Sequence, residues 1–137
     1  MFTDMIETGR TARAFLALRV VVAGLLATHG WARLLSGGVE PFGVWLDSQG
    51  LPFGIGIAAS VTALEILGTP LLALGRWVTG LCVAYCAVYA TGAVMVHLPD
   101  GWFVVGLGRN GMEYSVLLIV CLALLGWVHA PRRSSGG

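Results

Sequence analysis

The chain has 137 residues, 57% hydrophobic and only 11% charged, with a mean hydropathy of +0.84. A soluble domain carries about a quarter charged residues, so this chain cannot cover a compact globule with polar surface, and its natural solvent is a bilayer. The net charge is +1, and the only basic cluster is the short pair Arg132–Arg133, which excludes the electrostatic footprint of a nucleic-acid-binding protein.

Four apolar segments follow one another, each close to the roughly 20 residues that a spanning helix needs. The first covers residues 14–35, with Arg10, Arg13 and Arg19 ahead of or inside it. No A-x-A-like cleavage site follows, so it reads as a retained helix and not a signal peptide. The connection that follows contains PFGVWLDSQGLP, where Pro41 can start a turn and apolar and polar residues mix. It reads as a short interfacial helix over 41–49, ended by Gly50. The second and third spans are expected at 53–74 and 77–96, with Arg76 in the tight turn between them. The fourth is expected at 112–129, followed by a polar, disordered cytoplasmic tail at 131–137.

Arginines set the orientation. Arg10, Arg13, Arg76, Arg132 and Arg133 flank one side, whereas the other two connections carry Glu40, Asp47 and Asp100 against Arg109 alone. The positive-inside rule then places both termini in the cytoplasm. The expectation is an all-α integral membrane four-helix bundle, N-in and C-in, in one domain. Small residues are set four apart at Gly54/Ala58 and Gly56/Ser60, and form a stripe at Gly80, Ala84, Ala87 and Thr91. Such spacing lets helix backbones approach in lipid, or reflects only the abundance of glycine and alanine in membrane helices.

Gly106, Gly108 and Gly111 have the G-x-G-x-x-G spacing of a dinucleotide loop. That fingerprint requires a strand before it and a soluble βαβ unit around it. Here apolar helices lie on both sides, and the glycines read as shaping the turn into the fourth helix. Cys82, Cys86 and Cys121 lie in apolar runs and read as packing residues. His29 and His97 lack companions at ligand spacing, so no metal site is expected.

The informative residues are ionisable groups inside apolar segments. Glu65 is twelve residues from Phe53 and nine from Leu74, which places roughly 14–18 Å of helix on either side of it. A charge at such depth costs about 2.5–3.5 kcal/mol on the insertion scale, so it must face protein and be neutral or paired. Arg19 is the partner expected from helical rise: it lies about 9 Å above Arg13, and Glu65 about 16 Å above Arg76. The difference of about 7 Å is within the arginine's reach. The pair would either fix helix register or belong to a site that binds or protonates a ligand. His29 and Arg33 share one face near the outer end of the first helix. His97 ends the third helix and Glu113 opens the fourth. All four are expected at one depth, with Arg33–Glu113 as a second pair. Snorkelling and helix capping are the alternatives.

These residues, in this order, resemble the DoxX family of small four-helix membrane proteins. The resemblance rests on LALRVVVAGLLATHGWARLL with Arg19, His29–Gly30 and Arg33, then Gly50–Leu51–Pro52, and ALEILGTPLLALGR with Glu65 and Gly68. It continues through His97 and NGMEYSVLL with Glu113 and Tyr114, and extends from about Ala14 to Gly126. Position 33 is Arg where many relatives are expected to carry Lys; pairing with a carboxylate survives this change and proton exchange does not. The resemblance implies a multi-pass protein of the bacterial inner membrane. It also implies a link to membrane redox complexes, since the family name comes from a subunit associated with thiosulfate:quinone oxidoreductase activity. Quinone is then the candidate cofactor, and a soluble or membrane oxidoreductase the candidate partner, with self-association left open. Nothing in the residues themselves indicates electron transfer. A non-catalytic scaffold or assembly factor is the alternative, and a small-solute or proton carrier fits least because no inverted repeat or broken helix is visible.

Overall fold

The computed structural model describes residues 2–106 and 109–131, residues 2–8 by their backbone alone. The basic pair Arg132–Arg133 and most of the tail expected to be disordered lie outside the described residues. Every regular element among the described residues is helical. The chain divides into two compact units, Met1–Arg76 and Trp77–Gly137.

The first unit begins with α1, Phe2–Leu35, a 34-residue helix about 51 Å long by its rise. It starts well before residue 14 because no proline interrupts TGRTAR. The helix α2, Val39–Ser48, is the short helix expected in the connection. A continuous helical run follows, made of α3 (Gly54–Ala63), a wide π turn (Leu64–Gly68) and α4 (Thr69–Ala73). This run packs along α1, and α2 packs on α3. Three ends share one device. After α1, α2 and α4 a glycine adopts positive φ (Gly37 +68°, Gly50 +86°, Gly75 +77°). The next residue then bonds back to the last turn, as in Gly38 N–H to Arg33 O at 2.8 Å, Leu51 to Leu46 at 3.1 Å and Arg76 to Leu71 at 2.8 Å. Glycine pays no Cβ penalty in that conformation, so it stops the helix while satisfying its carbonyls.

In the second unit α5 (Val78–Gly92) runs into another π turn (Ala93–His97) and a 3-10 turn (Leu98–Asp100). An irregular loop then leads to α6 (Glu113–Val128), which packs against α5. Leu81, Cys82 and Tyr85 on α5 and Leu118, Leu122 and Leu125 on α6 are buried. Gly126 on α6 faces Cys82 on α5 at close range. A Cβ there would lie 3.0 Å from that of Cys82, and the Thr79 hydroxyl donates to Gly126 O at 3.1 Å.

Three helical stretches are long and apolar enough to cross a membrane: Gly9–Leu35, Gly54–Ala73 and Val78–Asp100. The sixteen residues of α6 reach about 24 Å, short of a hydrocarbon core of about 30 Å. Among the small-residue pairs only one works as close packing: Gly54 and Ala58 are buried, whereas Gly56, Ser60, Gly80, Ala87 and Thr91 are exposed.

Candidate functional site

Both π turns end two residues before a proline: Gly68 before Pro70 and His97 before Pro99. A proline has no N–H for the carbonyl four residues back, and its ring crowds that oxygen. Widening the turn ahead of it relieves the conflict, and such π turns recur at functional positions. The first holds Glu65 and the second ends at His97. Hydropathy and spacing did not reveal this geometry, but the two prolines were a readable signal for it.

Glu65 is 2% exposed. Its Oε2 lies 2.6 Å from Arg33 Nη1, and the same nitrogen donates to Thr62 Oγ1 at 3.1 Å. The Arg33 guanidinium also lies over the Phe42 ring, 4.8 Å from its centroid, and Phe42 stacks on Trp45. One side chain thus ties together α1, α2 and the α3 run. Hydrogen bonds on either side stiffen the turn: Thr62 donates to Ala58 O at 2.7 Å, and Thr69 to Glu65 O at 2.7 Å.

Arg33 is therefore an arginine on Glu65, a partner that the helical rise did not single out. The Arg19 guanidinium lies against Gly75, where a Cβ would meet its Nη1 at 2.9 Å, ten residues along the chain from Glu65. The expected register assumed that Arg13 and Arg76 share a level. In the structure Arg19 sits at the level of Gly75, and Gly30 faces Glu65 directly. Helical side chains lean toward the N-terminus of their helix, so Arg33, one turn beyond Gly30, reaches back onto the carboxylate. Gly30 makes this approach possible: a Cβ there would lie 2.7 Å from Glu65 Cβ and 3.0 Å from Ile66 Cγ1.

The other predicted residues stand as follows. His29 is exposed and its Nδ1 bonds Leu25 O at 2.9 Å within its own helix. His97 and Glu113 belong to the second unit and hold the same loop. His97 Nδ1 donates to Asn110 O at 2.7 Å, and Glu113 Oε1 accepts from the Val104 N–H at 3.2 Å. Of the glycine triplet, Gly106 has φ +88°, and a Cβ on Gly111 would come within 2.5 Å of the Trp102–Phe103 backbone. Both shape the loop into α6; Gly108 lies outside the described residues. Sequence reading used Asp47 only as an acidic marker of orientation; its Oδ1 accepts the Gly54 N–H at 2.8 Å and so caps α3 from the neighbouring helix.

A family model described as DoxX matches residues 14–98, more than half of the 137 residues and including Arg33, Glu65 and both π turns; α6 falls beyond the match. No curated protein and no solved structure matches the chain. With its apolar spanning helices and this match, the chain is a membrane protein that belongs to the DoxX family.

Proposed function

We propose that the protein is a subunit of a redox complex in the bacterial cytoplasmic membrane. In this reading it is a four-helix bundle with both termini inside, and the Arg33–Glu65 pair receives the polar head of a quinone. The supporting observation is the pair's unequal access: the side chain of Glu65 is 2% exposed and that of Arg33 20%. The hydrogen bonds of Arg33 to Thr62 and Glu65 both use Nη1. Nε and Nη2 are directional donors of the kind a quinone carbonyl accepts, and the Glu65 carboxylate is an acceptor for a quinol hydroxyl. A soluble or membrane oxidoreductase supplies the electrons, since the chain carries no haem or iron–sulfur ligand motif. Organic extraction of the purified protein should yield quinone above the level of protein-free detergent, and the excess should fall in Arg33→Ala. No excess, together with no oxidoreductase retained in mild detergent, overturns this reading.

A second reading, a non-catalytic scaffold, is favoured by one observation: Arg33 joins three helices through Glu65, Thr62 and Phe42. A pair that only fixes register can be replaced by apolar residues of similar volume. The double variant Arg33→Met/Glu65→Leu should then keep the function of the complex. Loss of that function with the fold intact eliminates the scaffold.

A further inference from the structure

The loop between the 3-10 turn and α6 pairs part of its backbone within itself while several of its apolar side chains are exposed. Three successive carbonyls are taken by the far side of the loop: Gly101 O by Met112 N–H, Trp102 O by Glu113 N–H and Phe103 O by Gly111 N–H, each at 3.1 Å. The Val104 N–H is held by Glu113 at 3.2 Å and Asn110 O by His97 at 2.7 Å. Asn110 Nδ2 donates to Asp100 at 2.9 Å. Meanwhile Leu98 is 53% exposed, Trp102 51%, Phe103 43% and Val105 79%.

In water this arrangement is unfavourable, because each of these side chains forgoes part of the about 1.5–3 kcal/mol that full burial gives. In lipid the paired carbonyls of Gly101, Trp102 and Phe103 are what such a segment needs there, since irregular backbone at membrane depth is tolerated only where protein satisfies and covers it. Two further observations point to the bilayer. The helical turns on either side of the loop also expose apolar side chains, Val94 at 60% and Leu117 at 61%. And α6, about 24 Å long, leaves about 6 Å of a 30 Å core unspanned.

We infer that the segment 98–106 is embedded in the interfacial and upper acyl zone of the membrane and completes the crossing that α6 leaves short. Trp102, Phe103 and Val105 contact lipid, the aromatic rings at the depth such residues favour. Asp100, Arg109 and Asn110 form the polar end toward the headgroups. The occupant of the exposed patch is thus phospholipid, and not a soluble protein or a second copy of the chain. This inference does not depend on quinone binding.

The test is the depth of position 105 in phosphatidylcholine–phosphatidylglycerol vesicles. A spin label is placed on Val105→Cys in a chain whose Cys82, Cys86 and Cys121 are replaced by Ala, with Leu117→Cys as the lipid-facing reference. Oxygen should relax the label more than a water-soluble nickel chelate does, as at Leu117→Cys. Stronger relaxation by nickel, or protection from both reagents as protein cover gives, overturns the inference. Because the cysteine-free chain can fail to fold, the native chain is also compared with Trp102→Phe. Fluorescence quenching by lipids brominated near the headgroup should be partly lost in the variant. An equal intensity lost to the brominated lipid per mole of the two proteins means that Trp102 contributes no quenchable emission, places it outside the membrane and overturns the inference.

Discussion

Two glycines on α1, six residues apart, should respond to alanine in opposite directions. At Gly24 a Cβ would meet nothing within 4 Å, so Gly24→Ala adds only helix propensity, a gain of up to about 1 kcal/mol. At Gly30 the same Cβ would sit 2.7 Å from Glu65 Cβ. Ordinary carbon contacts lie at about 3.5–4.0 Å, so the helices must part by about 1 Å. A shift of that size stretches the Arg33–Glu65 bond, now 2.6 Å, to about 3.6 Å, beyond hydrogen-bond range. Overpacking costs about 1–3 kcal/mol, and loss of a hydrogen bond to a charged group about 1.5–3. Against the gain of about 1 in propensity, Gly30→Ala should be net destabilising by about 1.5–5 kcal/mol. Steric trapping in bicelles measures both variants. If Gly30→Ala is as stable as the parent, or moves with Gly24→Ala, the close approach at Glu65 is refuted.

Other substitutions test the remaining contacts. Arg33→Ala should lower stability by about 3–5 kcal/mol, since it leaves the buried Glu65 charge unmatched, and Glu65→Ala by less, since Arg33 is 20% exposed, while the apolar double variant Arg33→Met/Glu65→Leu recovers most of the loss; additive effects of Arg33→Met and Glu65→Leu in their double-mutant cycle would show that the pair is not coupled. Asp47→Ala should cost about 0.5–2 kcal/mol through the lost cap on α3, with Asp47→Asn close to the parent in thermal unfolding. Gly111→Ala, whose Cβ would meet the Trp102–Phe103 backbone at 2.5 Å, should open the loop before α6. The readout is hydrogen exchange at the Met112 and Glu113 amides, and unchanged protection would contradict the backbone pairing.

The spanning nature of the chain was written in its composition. With 11% charged residues no folding pattern could make it water-soluble, and runs of about 20 apolar residues commit the backbone to helix, where its polar groups satisfy one another. The short helix in PFGVWLDSQGLP was equally legible, because Gly50 supplies the left-handed residue that ends it. That Glu65 needs a partner also followed from depth alone. Which residue provides it did not. Rise per residue gives the height of a side chain only when the level of both helices is known, and a register offset of six residues brings Arg33 to the carboxylate. That offset is decided by Gly30 against Glu65 and by the wide turn ahead of Pro70. In the same way sequence marked several small residues as candidate contacts, and packing used Gly54 and Ala58 while leaving Gly56 and Gly80 in the open. Hydrophobicity is a property of each residue and can be read along the chain, whereas register is a relation between two helices and exists only once they meet.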